Sequence, residues 1–478
     1  MGSSKRLLDR SAIPEPIFDE NPDWVSFYWR AWELAWDHVI EREGAPASPY
    51  MDEAFSTETI WIWDTCFMVH FCKFAPQLFP GIQSFDNFYQ PLHDGSPSSL
   101  KIHHPDNPPL FAWIENEYFR YTGDTKRIAH ILPYLQKHYD FIENAQVNEL
   151  IPGTNCPILA QREPHGYRWS GNPSGMDNTP RGREHYEDIL WVDLLAQQGL
   201  AAKHIASLAE QIGQTELAQI YLAKHAELKA LAQKYYWNET DGIFYDIRRN
   251  HPHEQVKVKT PAAYWALLAD FCSEDQAEKL AANAMDPLEG FGGEIPWPSV
   301  PPHDPDFDPN GRYWRGGVWL PMVYMATCAL RNSGHAEKGD LLAERTLAHM
   351  VKTWKTYDPH TIWEAYSPTL PEPSTTKDPA FPDRRARPDF CGWSALGPIS
   401  LFIESVIGLH GADRLSNTLH WRIHRTTRHG VNRFRFGETL CDLLHEDGQC
   451  SVNSSAPFTL IINGTPHQIQ TGFQQFNI

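Results

Sequence analysis

A segment rich in glycine and proline, residues 170–181, carries one acidic side chain, that of Asp177. Trp169 precedes the segment and Arg181 ends it. Glycine and proline allow tight turns and close backbone approaches, so such a segment can hold one carboxyl group in place. A carboxyl group beside an indole and a guanidinium has the surroundings that a proton donor in glycoside cleavage requires. The alternative is an ordinary exposed turn residue before a helix.

A second carboxylate, Glu364, lies between Trp363 and Tyr366. It follows a predicted helix and precedes a proline-rich stretch, 368–388, so it is not patterned as the solvated face of a helix. Two carboxyl groups flanking the scissile bond are what glycoside hydrolysis requires. The alternative for Glu364 is structural, as a residue that caps or braces the loop.

Aromatic residues accompany the other polar candidates. Trp63 precedes Asp64, which is expected in the first turn of a helix, where it either caps the helix or accepts a sugar hydroxyl. Arg315 lies between Trp314 and Trp319, where its guanidinium can stack on an indole or bind hydroxyl groups. The alternative is a purely structural Arg–Trp pair. With 18 Trp, 18 Tyr and 24 Phe, the chain has enough rings to line a sugar pocket, although most are expected in the core.

Two other patterns resemble metal sites but do not meet their requirements. His103 and His104 are adjacent, so they do not share a helical face, and no further histidine or cysteine lies three or four residues away. The acidic residues of 304–311 resemble a calcium loop, but prolines interrupt them and Arg315 occupies the twelfth position, where a glutamate is required. No metal and no cofactor are therefore expected.

Composition narrows the class of protein. The 478 residues are ample for a large core, and the net charge of −19 without a basic block argues against nucleic acid or an anionic membrane as a partner. Residues 1–10 lack the apolar centre of a signal peptide and no long apolar run follows, so a cytoplasmic protein is expected. Eight scattered cysteines indicate reduced thiols. The oligomeric state stays open.

Hydrophobic residues spaced by three and four predict about a dozen helices, mostly in pairs. After residue 411 the residues alternate, which predicts short strands with a hairpin turn at Asn463-Gly464. The predicted helices include 24–43, 60–74, 110–121, 125–144, 184–212, 215–237, 260–271, 274–284, a helix ending at 330, 336–354 and 390–409.

Five motifs occur in an order that resembles a known family. They are Trp63-Asp64-Thr65, the Ser-Gly-Met-Asp-Asn-Thr-Pro run at 174–180, Tyr313-Trp314-Arg315-Gly316, Glu364-Ala365-Tyr366 and Gly392-Trp393-Ser394. Together they resemble the (α/α)6-barrel glycosidases of the mannosylglycerate and glucosylglycerate hydrolase type, in glycoside hydrolase family 63, which are relatives of trehalase. The resemblance covers about residues 24–410. It implies a mainly α fold, an (α/α)6 toroid of six helical hairpins, which we assign to a catalytic domain at 1–410. The small β domain predicted at 411–478 rests on the alternating residues and is not part of the compact glycerate enzymes of this family.

The resemblance also implies roles for individual residues. Asp177 corresponds to the general acid and Glu364 to the general base of an inverting mechanism, which requires two carboxyl groups about 6.5–9.5 Å apart. Asn107 stands where the family often has Gln before a Pro-Pro pair. The residues expected to contact a small carbohydrate substrate are Trp63, Asp64, Asn107, Arg181, Trp314, Arg315, Trp319, Tyr366 and Trp393.

Three hypotheses remain open at this point. The first is an inverting α-glycosidase acting on a small α-glucoside or α-mannoside. The second is a non-catalytic carbohydrate-binding protein on the same barrel. The third is a sugar isomerase or epimerase that works through histidines, for which His103, His104 and His165 are the candidates.

Overall fold

The computed structural model describes residues 7–53, 58–146, 157–169, 171–182 and 185–478. About 42% of the residues are helical and about 20% lie in strands, which confirms the prediction of a mainly helical chain with a C-terminal β region. Its α-helices are α1 (Pro22–Asp37), α2 (Ile62–Cys72), α3 (Asp86–Asp94), α4 (Phe111–Thr122), α5 (Thr125–Asn144), α6 (Val192–Gln211), α7 (Thr215–Leu231), α8 (Tyr264–Leu268), α9 (Glu274–Met285), α10 (Leu320–Asn332) and α11 (Ala336–Thr356). Two segments have the wider π spacing, Ala232–Tyr236 and the last helix, Gly397–Val406.

Helix α5 has the predicted bounds because its N-terminal end and its buried face both carry clear local signals. The side chain of Asp124 accepts a hydrogen bond from the backbone N–H of Arg127 at 3.0 Å, which caps the first turn. Its buried apolar residues recur at helical spacing and include Ile128, Ile131, Leu132 and Leu135.

Several predicted helices are shorter in the structure. The one at 24–43 ends at Asp37, because Val39–Ile40 forms a strand, and the last one, predicted at 390–409, spans Gly397–Val406. The one at 184–212 begins only at Val192. Ile189–Leu190 instead forms a strand that pairs with Asp246–Arg248, and the N–H of Val192 donates to Oδ1 of Asp246 at 2.8 Å. Local periodicity cannot predict such a distant pairing. The predicted helix 260–271 is α-helical only over Tyr264–Leu268. Glu184 lies outside the described residues.

Six helical segments contact one another in sequence. α2 contacts α4, α4 contacts α6, α6 contacts α8, and α8 contacts α10. α10 contacts the short turn Ser394–Leu396 that opens the last helix, and this turn contacts α2. Four other helices pack against this series or the last helix: α5 and α7 against α6, α11 against α10, and α1 against the last helix.

A buried ion pair joins the C-terminal end of α2 to the last helix. Nζ of Lys73 lies 2.8 Å from Oε1 of Glu404, and both side chains are only 4% exposed. Nη1 of Arg331 lies 3.1 Å from the other oxygen of Glu404. Such burial costs free energy of solvation, which this network of charged partners offsets.

The strands lie in short pairs within the loops and in two larger sheets near the C-terminal end. They are β1 (Glu15–Phe18), β2 (Val39–Ile40), β3 (Tyr50–Met51), β4 (Thr59–Trp61), β5 (Lys101–His103), β6 (Gln161–Glu163), β7 (Gly166–Arg168), β8 (Ile189–Leu190), β9 (Trp237–Asn238), β10 (Ile243–Phe244), β11 (Asp246–Arg248), β12 (His251–Val256), β13 (Leu409–Asp413), β14 (Thr418–Trp421), β15 (His429–Phe436), β16 (Thr439–Glu446), β17 (Gln449–Ser454), β18 (Phe458–Ile462), β19 (Thr465–Ile469) and β20 (Gly472–Asn477).

The two larger sheets have the orders β1-β15-β16-β17-β20 and β13-β14-β18-β19. The predicted hairpin turn is present, because Asn463 and Gly464 join β18 to β19 with φ angles of 48° and 84°. The division at residues 410 and 411 stays a prediction. One N-terminal strand, β1, nevertheless pairs with β15, so a sheet connects the two ends of the chain.

The seven described cysteines are free thiols, and five of them are buried. Cys156 lies outside the described residues. None of the described helices combines the length and the apolar character needed to cross a membrane.

Candidate active site

A cavity of about 290 Å³ brings together residues that are far apart in the sequence. Seven predicted site residues line it, namely Trp63, Asp64, Asn107, Asp177, Trp314, Trp319 and Trp393. The rest of the lining consists of Trp61, His103, His104, Asn172, Gly175, Tyr313 and Lys377. Trp63 and Asp64 lie in the first turn of α2, and Trp319 directly precedes α10, so the cavity lies at the N-terminal ends of helices.

Asp177 is held in the cavity wall by an ion pair. Its Oδ2 lies 2.5 Å from Nζ of Lys377, and its side chain is 24% exposed. Burial raises the pKa of Asp177, and the ammonium of Lys377 opposes this effect by lowering it. The same ammonium lies 5.3 Å above the ring of Tyr313. Lys377 therefore links the loop of Asp177 to Tyr313.

Asn178, the next residue, ties this loop to residues 312–315. Its Oδ1 accepts from the N–H of Trp314 at 2.8 Å, and its Nδ2 donates to the carbonyl oxygen of Arg312 at 3.0 Å. Nε of Arg315 donates to the backbone oxygen of Asn178 at 3.0 Å. These three hydrogen bonds fix the position of the Asp177 backbone relative to the aromatic wall.

Glu364 is not one of the described residues that line the cavity. Tyr313, which does line the cavity, donates its hydroxyl to Oε1 of Glu364 at 3.0 Å, and the N–H of Arg387 donates to Oε2 at 3.1 Å. Burial raises the pKa of Glu364, while these two donors lower it. The backbone oxygen of Glu364 accepts from Nε1 of Trp393 at 2.8 Å. The segment of Glu364 thus supports two aromatic residues of the cavity.

Asp64 and Asn107 offer buried oxygens to the cavity. Asp64 is 4% exposed, and its Oδ1 has no hydrogen-bond partner in the described part of the chain. Burial raises its pKa well above the ordinary value, and the charges of Glu364 and Asp177 raise it further. Nδ2 of Asn107 donates to the carbonyl oxygen of Pro173 at 2.9 Å, while its buried Oδ1 also lacks a partner within those residues. Both oxygens are available to a ligand.

Stacked rings form one wall of the cavity. The rings of Trp314 and Trp319 are 4.3 Å apart with an interplanar angle of 5°, and Tyr313 meets Trp319 edge-on at 4.6 Å. Trp393 lies 5.7 Å from Trp319. Such flat, weakly polar surfaces suit the C–H faces of sugars.

Three predicted contact residues do not line the cavity. Arg181 is buried, with Nη2 2.5 Å from Asp193 and its guanidinium 4.4 Å above the ring of Trp191. Nη1 of Arg315 lies 2.7 Å from Oδ1 of Asp306. The third is Tyr366, whose hydroxyl accepts from the backbone N–H of Trp363 at 3.2 Å. The structure thus pairs these three side chains with protein groups and does not place them in the lining of the cavity.

Lys377 is a lining residue that the sequence did not predict. It lies in a proline-rich loop and contacts Asp177 across 200 positions of the chain, which no local pattern indicates. Tyr313 could have been found, because it opens one of the five motifs.

Of the three histidines proposed for an isomerase or epimerase, two line the cavity and one does not. His103 and His104 line the cavity, whereas the ring of His165 packs against Tyr235 at 4.8 Å. Burial lowers the pKa of His103, and it lowers the pKa of His104 to about 4, so neutral rings face the cavity. Among the described residues, no group of three His, Cys, Asp or Glu side chains is placed to hold a metal ion.

Gly175 gives a direct test of how tightly the Asp177 loop packs. Its φ is 78°, and a Cβ there would lie 2.7 Å from the buried ring of Trp63. Gly213 has nearly the same φ, 76°, with open space around it. We expect Gly175→Ala to lower the free energy of unfolding by about 1–3 kcal/mol more than Gly213→Ala, because only the first substitution also overpacks. Urea denaturation of both variants measures this, and equal losses would refute the close packing.

Comparison with known proteins indicates the family of the chain. The family model described as the mannosylglycerate hydrolase MGH1-like glycoside hydrolase domain matches residues 89–378. The probable mannosyl-oligosaccharide glucosidase of Schizosaccharomyces pombe is 23% identical over 292 residues, which cover 56% of this chain and 34% of that protein. The chain thus spans about a third of that curated relative's length.

Solved structures share the fold. The GH63 mannosylglycerate hydrolase of Thermus thermophilus, in complex with glucose, has a TM-score of 0.58 at 18% identity and covers 78% of this chain and 99% of that chain. A sialidase has a TM-score of 0.72 at 14% identity and covers 97% of this chain and 40% of that chain. The family model matches more than half of the 478 residues and confirms the resemblance seen in the five motifs: the chain belongs to the mannosylglycerate hydrolase MGH1-like family of glycoside hydrolases.

Proposed function

We propose that this protein is an inverting α-glycosidase that hydrolyses a small α-glucoside or α-mannoside. The observation that carries the proposal is a pair of carboxyl groups, Asp177 and Glu364, whose pKa values burial raises beside one aromatic cavity. Membership of a glycoside hydrolase family supports cleavage of a glycosidic bond. The names of the matched relatives, a glucosidase and a mannosylglycerate hydrolase, support the two sugars.

In this proposal Asp177 is the general acid. It donates its proton to the glycosidic oxygen as the bond from that oxygen to the anomeric carbon breaks. Burial favours the protonated form that this step needs. Asp177 is left as a carboxylate and regains a proton from solvent before the next cycle.

Glu364 is the proposed general base. It removes a proton from a water molecule whose oxygen attacks the anomeric carbon on the face opposite the leaving group, so the configuration inverts. The hydrogen bonds from Tyr313 and from the N–H of Arg387 favour the ionised form of Glu364 against the effect of burial. A movement of the Tyr313 hydroxyl would open a path from the cavity to Glu364.

The proposed sugar contacts come from the rings and from the unpaired oxygens. The stacked wall that includes Trp319 would face the ring carbons, and Asp64 and Asn107 would accept sugar hydroxyls. Arg181 and Arg315 would not contact the sugar; they would hold the loop that carries Asp177 in position.

We also propose that the helices form the (α/α)6 toroid that the resemblance implies. The support is the contact series from α2 through α4, α6, α8 and α10 to the opening of the last helix and back to α2. The cavity at the N-terminal ends of α2 and α10 would then lie at the mouth of the toroid.

One observation favours a second candidate, a sugar isomerase or epimerase, because His103 and His104 both line the cavity. That reaction would interconvert free sugars without releasing an aglycone. The two candidates therefore differ in their products, which a screen of disaccharides and glycosyl-glycerates alongside free sugars distinguishes.

The proposal predicts that each carboxyl group is required. Asp177→Asn and Glu364→Gln should each lower kcat/KM for the substrate found in that screen by about a hundredfold or more, because a proton-transfer group is lost. Sugar binding, measured by calorimetry, should persist. Asp383→Asn, an exposed change in the same proline-rich region as Lys377, is the control and should keep full activity. Full activity in either of the first two variants would sink the assignment.

Lys377 should set the upper pH limit of activity. Asp177 must be protonated to act, so activity falls as the pH rises through its pKa. Lys377 lowers that pKa, and Lys377→Met should therefore raise it and move the alkaline limb of kcat/KM to higher pH. Lys377→Arg keeps the positive charge and should keep the wild-type limb. A limb that stays fixed or moves down in Lys377→Met would contradict this role.

A further inference from the structure

A second cavity, of about 260 Å³, lies at the opposite ends of the helices that begin at the candidate active site. Trp63 is in the first turn of α2, whereas His70 and Lys73 at the C-terminal end of α2 line the second cavity. Trp319 precedes α10 at the first cavity, and Tyr324 within α10 lines the second. The two cavities have similar volumes and share no described lining residue.

The cations of the second cavity are already paired with carboxylates. Lys73 lies 2.8 Å and Arg331 3.1 Å from oxygens of Glu404. Arg120 lies 3.2 Å from Asp413. These pairs largely cancel one another's charge, so the cavity offers no net charge that would hold a free anion or a free cation. The cavity therefore favours an uncharged ligand.

His70 supplies unused hydrogen-bonding capacity inside this cavity. It is 1% exposed, and neither ring nitrogen has a partner in the part of the chain that the structure describes. Burial lowers its pKa well below the ordinary value, and Lys73 lowers it further, so the ring is neutral with one donor and one acceptor. A buried polar group without partners is unfavourable, and hydroxyl groups, which both donate and accept, would satisfy it.

The remaining walls suit a molecule that combines hydroxyls with a C–H face. The ring of Trp113 lies 4.3 Å from that of His70 and 6.5 Å from that of Tyr324, with 28° between the planes of Trp113 and Tyr324. Glu117, one helical turn after Trp113, adds a partly exposed carboxylate that can accept hydroxyls. His420 of β14 lies on the wall formed by the C-terminal strands.

We propose that the second cavity binds an uncharged polyhydroxylated molecule, a monosaccharide or a sugar alcohol, at a site separate from the candidate active site. Such a ligand would contact α2, α4 and α10 together with β13 and β14. It would thereby join the helical part of the chain to the C-terminal strands. This site does not depend on the roles proposed for Asp177 and Glu364.

Crystals of the full chain, soaked separately with D-glucose and D-mannose, locate the ligand directly. We expect sugar density beside His70 and the ring of Trp113 in at least one soak. Ordered water alone in the second cavity of both soaks would overturn the proposal, whatever the first cavity contains. Hydrolytic activity is not the readout, so this failure is distinct from a failure of the proposed reaction.

A titration in solution detects binding at the second cavity by the NMR signals of the His70 imidazole nitrogens. These signals are assigned by their absence from the spectrum of His70→Gln. Added D-glucose or D-mannose should shift these signals. Glu117→Ala should weaken the apparent affinity by about tenfold, because a hydroxyl acceptor is lost. Glu210→Ala, which removes an exposed carboxylate on α6, is the matched control and should leave it unchanged. Signals that stay fixed, or equal affinity in Glu117→Ala and the wild type, would overturn the proposal.

Discussion

The constraint on which the rest of the site depends is the desolvation of three carboxyl groups around one cavity, two of them buried and one, Asp177, partly buried. Asp64, Asp177 and Glu364 all lose solvation there, which raises the pKa of each, and their charges oppose one another. Specific donors lower two of these pKa values again. Lys377 pairs with Asp177, and Tyr313 donates a hydrogen bond to Glu364. Two carboxyl groups with different partners can hold different protonation states, which an acid and a base that work together require.

Fixing Asp177 in this environment requires a loop that cannot move freely. Gly175 packs against the ring of Trp63 where a Cβ has no space, and Asn178 bonds to the backbone of 312–315. Behind the loop, Arg181 pairs with carboxylates and stacks on an indole. Arg181 and Arg315 are thus paired with protein groups outside the lining, and the cavity is lined by carboxylates, amides, rings and the ammonium of Lys377.

The sequence was sufficient where the signal was local or carried by a motif. Helix 125–144 followed from apolar spacing, and the motif order selected Asp177. Contacts between distant segments could not be predicted: a strand pairing replaces the start of the helix expected at 184–212, and Lys377 reaches Asp177 across 200 positions. The pairing of Arg181 was unpredictable for the same reason, because its carboxylate partners come from later in the chain.

In the proposed mechanism Asp177 and Glu364 act as acid and base on opposite faces of the sugar. The most direct test is proton NMR of the anomeric signals during the first minutes of hydrolysis of an α-glycoside substrate, before mutarotation mixes the anomers. The account predicts that the β-anomer of the released sugar appears first, because water attacks opposite the leaving group. Initial release of the α-anomer would contradict it.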